Sequence, residues 1–266
     1  MTTVLLHGLG ADRRQPLDLF TPAVHAAVGG DELIVAPDIR AHGGFLSVGS
    51  PADFRFDRLA AELAASVREA IDEAGAPQPE ASGPLMIMGI SLGAALALRI
   101  ALDGLLPIER AVFVRPSFSD RSLPEHLRVF PVIGQILAEA GPAGIGEFRE
   151  RSIFEQVAAV SPAGARGLLT QFTAPDAARR AMRLVEIPRN RAFDHDAELT
   201  ALEGRGIRSL VIGAPRDPVH PYALAERWAA ALKAPLVELP PRDDGLPVQT
   251  ALLREGIARW LQHTRA

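Results

Sequence analysis

The sequence contains no cysteine. That excludes disulfides and thiolate metal ligands, leaves the redox compartment undecided, and means that any bound metal would rest on His and carboxylate ligands. It also lacks a basic cluster. Its 28 Lys and Arg are scattered among 32 Asp and Glu, for a net charge of −4, so no stripe of positive charge is present to meet a nucleic-acid backbone, and small molecules are the expected partners. No apolar run reaches the roughly 18–20 residues that cross a bilayer, so no membrane is expected. The opening MTTVLLHGLGADRR has neither a basic head nor a small-residue cleavage site, which argues against a signal peptide and for a cytoplasmic location. Repeats and low-complexity tracts are absent as well. What remains is ordinary globular composition, 48% hydrophobic and 23% charged over 266 residues.

Short apolar runs recur along the chain without alternation, at Val4–Leu6, Leu33–Ala36, Leu85–Ile90, Ala111–Val114, Leu210–Gly213 and Leu236–Leu239. Such runs suit parallel strands covered on both faces. Between them, Phe54–Ala74, Leu92–Leu102, Tyr222–Leu232 and Leu252–Leu261 carry helical spacing, and 75–84 reads as a connection rather than a boundary. The alternation predicts an α/β fold with a doubly wound, mostly parallel sheet of about six strands, binding ligands beyond the carboxyl ends of the strands. Residues 116–208 break the pattern. They hold helix-like segments at Leu123–Ala140, Glu147–Val160 and Pro175–Val185 and no convincing strand, which predicts a helical lid inserted before the penultimate strand into a core of residues 1–115 and 209–266.

Gly89-Ile90-Ser91-Leu92-Gly93 falls where the third strand run gives way to a helix. A tight strand-to-helix turn thrusts its middle side chain out of the sheet, and small residues two before and two after avoid a backbone collision. The helix N-terminus also presents unpaired N–H groups to an oxyanion formed nearby. A Gly-Ser turn without chemistry is the plainer reading of five residues alone; the strand before and the helix after favour the chemical one.

With the His7-Gly8-Leu9-Gly10 turn, the stretch Asp38-Ile39-Arg40-Ala41-His42-Gly43, and Asp217 after the Leu210–Gly213 strand, the chain resembles the α/β-hydrolase superfamily from Val4 through the final helix. The resemblance implies Ser91 as nucleophile, Asp217 as the acid, and the N–H groups of Leu9 and Leu92 as an oxyanion hole. Such proteins usually begin with two further strands, so the sheet here should be shortened, and a homodimer is one way its edge would be covered.

The resemblance fails at one place. The family's histidine belongs in the loop after the last strand, here Pro240-Pro241-Arg242-Asp243-Asp244-Gly245-Leu246-Pro247, and none is present. His263 stands too near the chain end to replace it. His220, three residues after Asp217, is the best substitute; its other reading is a pocket-lining residue at a helix start. His7 and His42 match the family's structural histidines, with His7 also a candidate to touch substrate. His25 reads as helix surface, His126 as lid surface, and His195 as part of a polar turn. No His and carboxylate pair shows helical metal-ligand spacing, and neither a metal nor a cofactor is expected.

Arg115, directly after the Ala111–Val114 strand, would either hold a substrate carboxylate or phosphate or pair with a neighbouring carboxylate to fix the lid entry. Arg13 and Arg14 read mainly as solvated surface. Apolar lid residues such as Phe118, Ile133, Phe148 and Phe172 suit either an apolar pocket or the packing of the lid itself.

The leading expectation is a serine-dependent hydrolase, or acyl transferase, acting with a non-standard base on an ester, thioester or lactone carbonyl of a small substrate, an anionic one in the reading that gives Arg115 to substrate. The rival is a protein of the same fold without hydrolysis: a ligand-binding or regulatory module, or a lyase, isomerase or cyclase using the oxyanion pocket. A peroxidase- or dehalogenase-like chemistry is a weaker third; dehalogenases of this fold carry aspartate at the elbow, so Ser91 argues against that variant.

Overall fold

A computed structural model describes residues 2–30, 32–79 and 83–264; residues 80–82 of the expected 75–84 connection lie outside them. Six strands run in parallel: β1 Thr2–Leu6, β2 Leu33–Val35, β3 Leu85–Ile90, β4 Ile108–Val114, β5 Arg208–Gly213 and β6 Leu236–Glu238, in the order β2-β1-β3-β4-β5-β6. Alternate side chains of each strand enter opposite cores. Leu6, Ile87, Ala111, Phe113 and Val211 face one, and Leu5, Met86, Met88, Val112 and Ile212 face the other. Both faces are covered, which is why the strand runs show no polar alternation.

On the first face lie α2 (Phe56–Glu73), α3 (Leu92–Leu102) and the helix Tyr222–Leu232, whose buried Trp228 sits edge-on to Phe113. The second face is covered by α1 (Arg14–Val28) and the helix Leu246–His263, through Phe20, Val24, Leu253 and Ile257. One of these elements, α1, was not read from the sequence, and another, the last helix, runs further than its pattern suggests. Pro16 and Pro22 obscure the periodicity of α1, and the last helix begins at Leu246 because Pro247 falls in its first turn, where a missing N–H costs nothing. Strand β4 likewise reaches back to Ile108, its charged Glu109 pairing with Arg208 on the adjacent β5.

Between β4 and β5 the chain is helical, with helices at Val129–Ala140, Ile145–Arg149, Ser152–Val160, Pro162–Thr173, Met182–Glu186 and Asp196–Gly204. The Pro162–Thr173 helix was hidden by its Pro-Ala-Gly-Ala-Arg-Gly start. Ser161 caps it, its hydroxyl accepting from the Gly164 amide at 2.9 Å, and Pro162 occupies the first turn. The stretch Glu125–Arg149 is long and apolar enough by composition to cross a membrane, with mean hydropathy 1.2. Here it is split into successive helical pieces, and Phe130, Ile133, Ile136 and Leu137 are buried in the core. Phe118, Phe148 and Phe172 are buried in that core too, so packing accounts for these aromatics. Buried arginines dock the insertion onto the 38–44 turn: Arg180 donates to the Gly43 carbonyl at 3.1 Å and Arg183 to that of Ala41.

Candidate active site

Ser91 occupies the turn between β3 and α3 with φ 57° and ψ −112°. A residue with a Cβ adopts such a backbone only when the surroundings enforce it, at a cost of about 1–3 kcal/mol. Two close approaches do so. A Cβ at Gly89 would stand 2.1 Å from the Gly93 carbonyl oxygen, and one at Gly93 would stand 2.3 Å from that of Leu6. The Ser91 amide donates to the Val114 carbonyl at 2.9 Å, tying the turn to β4.

The side chain of Ser91 faces a cavity of about 600 Å³ at the carboxyl ends of the strands, a size suited to a small organic ligand. His220 Nε2 lies 2.9 Å from Ser91 Oγ, and His220 Nδ1 lies 2.9 Å from Asp217 Oδ2. Asp217 Oδ1 accepts the amides of Val219 and His220, both at 3.1 Å, so a single carboxylate shapes the loop and holds the ring. Pro221, which disfavours a helical backbone at the residue before it, is the N-cap of the helix Tyr222–Leu232 that follows His220.

Burial alone would raise the Asp217 pKa. The charge of His220 and its hydrogen bond, the Arg115 guanidinium and the Val219 amide outweigh it and hold the carboxyl well below the usual carboxylate range. An ionised carboxylate only accepts, so Nδ1 carries the imidazole proton and Nε2 is free to accept the proton of Ser91.

Ser117 was not anticipated. It is fully buried, and its Oγ lies 3.1 Å from Ser91 Oγ. With the Ser91 proton directed at His220, the Ser117 hydroxyl is the donor of this pair. His126 donates from Nε2 to the Ser117 carbonyl at 2.7 Å. It is therefore half-buried beneath the site rather than on the lid surface, and burial lowers its pKa.

The His7-Gly8-Leu9-Gly10 turn lies against the serine, since a Cβ on Gly8 would stand 3.5 Å from Ser91 Cβ. The Gly8 amide is engaged by Gln15 Oε1 at 2.8 Å. Leu9 lines the cavity. Leu92 is the first residue of α3, so its amide has no acceptor within the helix, and its side chain is buried in the core.

His7 does not reach the cavity, which corrects the expectation that it touches substrate. It is wholly buried, its Nδ1 donates to the Gly8 carbonyl at 2.8 Å, and its Nε2 accepts the Ile39 amide at 3.0 Å. Burial pushes its pKa down to about 4. His42 packs beside it, ring centroids 5.0 Å apart. Of the remaining histidines, His25 is exposed on α1, His195 bonds Glu198 and His263 bonds the Arg259 carbonyl, all away from Ser91.

Arg115 lines the cavity with a left-handed backbone, φ 49°. The ion pair that was one of its two readings is absent: among the described residues no carboxylate lies within 4.0 Å of its guanidinium, which donates to the Gln249 side chain and leaves Nε without a partner. Gln249 belongs to the helix that follows the histidine-free loop. In that loop Asp243 accepts the Ser161 hydroxyl and the Ala163 amide, Asp244 pairs with Arg216, and Leu246 is half exposed at the cavity wall. Arg13 and Arg14 are occupied by Asp38 and Asp12. Among the described residues no three His, Asp or Glu side chains converge as a metal site.

The sequence matches, over residues 3–251, the family described as Alpha/beta hydrolase family. No curated protein matches it. Among solved structures it is similar to MenH from S. aureus, at 16% identity and TM-score 0.65, with 98% of this chain and 94% of that one covered. It is similar also to a thermophilic esterase from Thermogutta terrifontis, at 18% identity and TM-score 0.66, covering 100% and 91%. The enol-lactonase from Burkholderia xenovorans LB400 aligns at 19% identity and TM-score 0.58, covering 90% and 82%. At these identities the likeness is one of fold.

Proposed function

Since this chain belongs to the alpha/beta hydrolase family, we propose that it is a serine-dependent hydrolase or acyl transferase acting on an ester, thioester or lactone carbonyl. The observation that carries the reading is the unbroken hydrogen-bond path from Ser91 Oγ through His220 to Asp217, each step 2.9 Å. A serine hydroxyl attacks poorly unless a neighbouring base takes its proton, and a base so placed and oriented meets that need.

In this mechanism Ser91 Oγ bonds to the carbonyl carbon while its proton passes to His220 Nε2. The carbonyl electron pair moves onto oxygen, where the Leu9 and Leu92 amides stabilise the charge. Collapse of the tetrahedral intermediate breaks the bond to the leaving oxygen or sulfur, which takes the proton from His220. Water, or an acceptor alcohol, then repeats the cycle on the acyl-serine. Asp217 orients the ring and balances the imidazolium, and Ser117 donates a second hydrogen bond to Ser91 Oγ as negative charge builds on it. The Pro162–Thr173 helix walls the cavity through Leu168 and Gln171 and serves as part of the lid.

Intact mass after incubation with a fluorophosphonate tests this reading. Wild-type protein should gain one adduct, Ser91→Ala none, and His220→Ala one only at a much lower rate. A folded wild-type protein that never reacts, or an adduct retained in Ser91→Ala, overturns it.

A further inference from the structure

About half of the described arginines reach a carboxylate. Arg13, Arg40, Arg99, Arg180, Arg216 and Arg227 pair with Asp38, Glu62, Asp103, Asp176, Asp244 and Asp120 respectively. The cavity beside Ser91 gathers arginines from the other half. Three arginines line it, Arg115, Arg242 and Arg254, and among the described residues none of them forms an ion pair. Arg254 is engaged with the backbone carbonyls of Leu19 and Asp18. Arg115 has only the neutral amide of Gln249, with Nε buried and unsatisfied. Arg242 makes no side-chain hydrogen bond among the described residues, and its Nη1 lies 3.3 Å from where a Cβ on Gly167 would be, at the inner wall formed by the Pro162–Thr173 helix.

Burial first, and then the nearby positive charge of Arg242, disfavour the protonated form of Arg115 against the pull of Asp217. Of the two carboxylates that line the cavity, Asp18 is exposed on α1, and Asp217 is committed to His220 and to two backbone amides. A buried guanidinium nitrogen left without an anion, as Arg115 Nε is, carries a desolvation cost, and with the half-buried Arg242 lining the same cavity the two charges create a field that favours a negatively charged occupant. Their source beside the serine is fixed by the backbone. The Val114 carbonyl accepts the Ser91 amide, so Arg115 leaves the sheet at the elbow itself, and its left-handed backbone turns the chain there.

We propose that Arg115 and Arg242 form a carboxylate subsite, so that the substrate carries a carboxylate in addition to the carbonyl attacked by Ser91. A half-ester of a dicarboxylic acid, or an ester of a hydroxy acid, has this form. The guanidinium forks take up the carboxylate oxygens in charge-assisted hydrogen bonds, and the reacting carbonyl is delivered to the serine. The inference rests on the hydrolase reading for its substrate and on the cavity alone for its ligand.

Two measurements separate the claims. In turnover, mono(4-nitrophenyl) glutarate is compared with 4-nitrophenyl pentanoate, and 4-acetoxybenzoate with phenyl acetate, each rate divided by that of hydroxide. At least one carboxylate ester should be preferred by about tenfold or more in kcat/KM, the preference should fall in Arg242→Gln through KM, and it should shrink with added salt. In binding, glutarate titrated into Ser91→Ala by calorimetry should bind, and Arg242→Gln in that background should weaken it by about tenfold, while pentanamide should not bind. Turnover of the neutral esters with no preference for either charged one overturns the subsite and leaves the hydrolase reading intact. Absence of turnover with Arg242-dependent glutarate binding supports the subsite and overturns the hydrolase reading. Glutarate binding that is absent, or indifferent to Arg242, overturns the subsite whatever the turnover.

Discussion

Asp217 and His220 stand three residues apart and are joined twice, the ring Nδ1 to Oδ2 at 2.9 Å and the His220 amide to Oδ1 at 3.1 Å. The two contacts separate under substitution. In Asp217→Asn the side-chain oxygen still accepts the backbone amides, so the loop keeps its shape, but the amide group no longer enforces the tautomer that leaves Nε2 free. Turnover of an activated ester should fall by about 10⁴-fold with little change in thermal stability. A loss smaller than tenfold would mean that another group supplies the base.

In the proposed mechanism Ser117 hydrogen-bonds the attacking oxygen, and it is not among the residues that line the cavity. Ser117→Ala should therefore lower kcat by about tenfold and leave KM nearly unchanged, since one neutral hydrogen bond is worth about 1 kcal/mol. Steady-state kinetics on a neutral ester read this. An effect confined to KM would place Ser117 in substrate binding instead.

Gly93→Ala should be among the most damaging substitutions of the elbow. The new methyl would meet the Leu6 carbonyl oxygen, a backbone atom of the neighbouring strand, at 2.3 Å. Relief requires α3 or β1 to shift, at roughly 1–3 kcal/mol or more. Urea unfolding should show the loss, and a midpoint unchanged from wild type would contradict the packing described.

Acid should destabilise the fold through His7. Burial depresses its folded pKa to about 4 from an ordinary 6.5, so between these values the unfolded chain binds more protons than the native one. Its contribution is complete above pH 6.5, declines as the pH falls from 6.5 towards 4, and is lost below that, a span of roughly 3 kcal/mol. His42 is shifted the same way, by burial first and then by His7 and Arg183. Urea midpoints over this range should fall steeply in wild type and less steeply in His7→Gln, which starts from a lower stability. Equal slopes would remove His7 from the account.

The sheet was legible because strands buried on both faces are written as unbroken apolar runs, and Leu85–Ile90 and Leu92–Leu102 were bounded correctly by the glycine elbow between them. The place of Ser91 at the turn between them was legible for the same reason. His220 was not decided by sequence, because a spacing of three residues from Asp217 says nothing about where the ring points across the 129 residues that separate it from Ser91. Ser117 and Arg242 left no motif at all. Each becomes significant only through a contact made across the fold, Ser117 with the elbow and Arg242 with the Pro162–Thr173 helix that proline and glycine had concealed. His7 showed the converse, a polar residue beside the expected site whose two ring nitrogens are spent on holding the turn.

Placing acid and imidazole in one turn also alters what the edge of the sheet must do. Ser91 hangs from β3 and the Asp217–His220 pair from β5, both flanked by strands on either side. The three-residue edge strand β6 and the loop after it carry none of the three groups. Fraying at that edge, where sheets open most easily, therefore leaves the alignment of serine, imidazole and carboxylate undisturbed. Apart from Arg242 and the Asp244 that pairs with Arg216, the loop is free to vary, and through Asp243 and Arg242 it can reshape the cavity wall while serine, imidazole and carboxylate stay aligned.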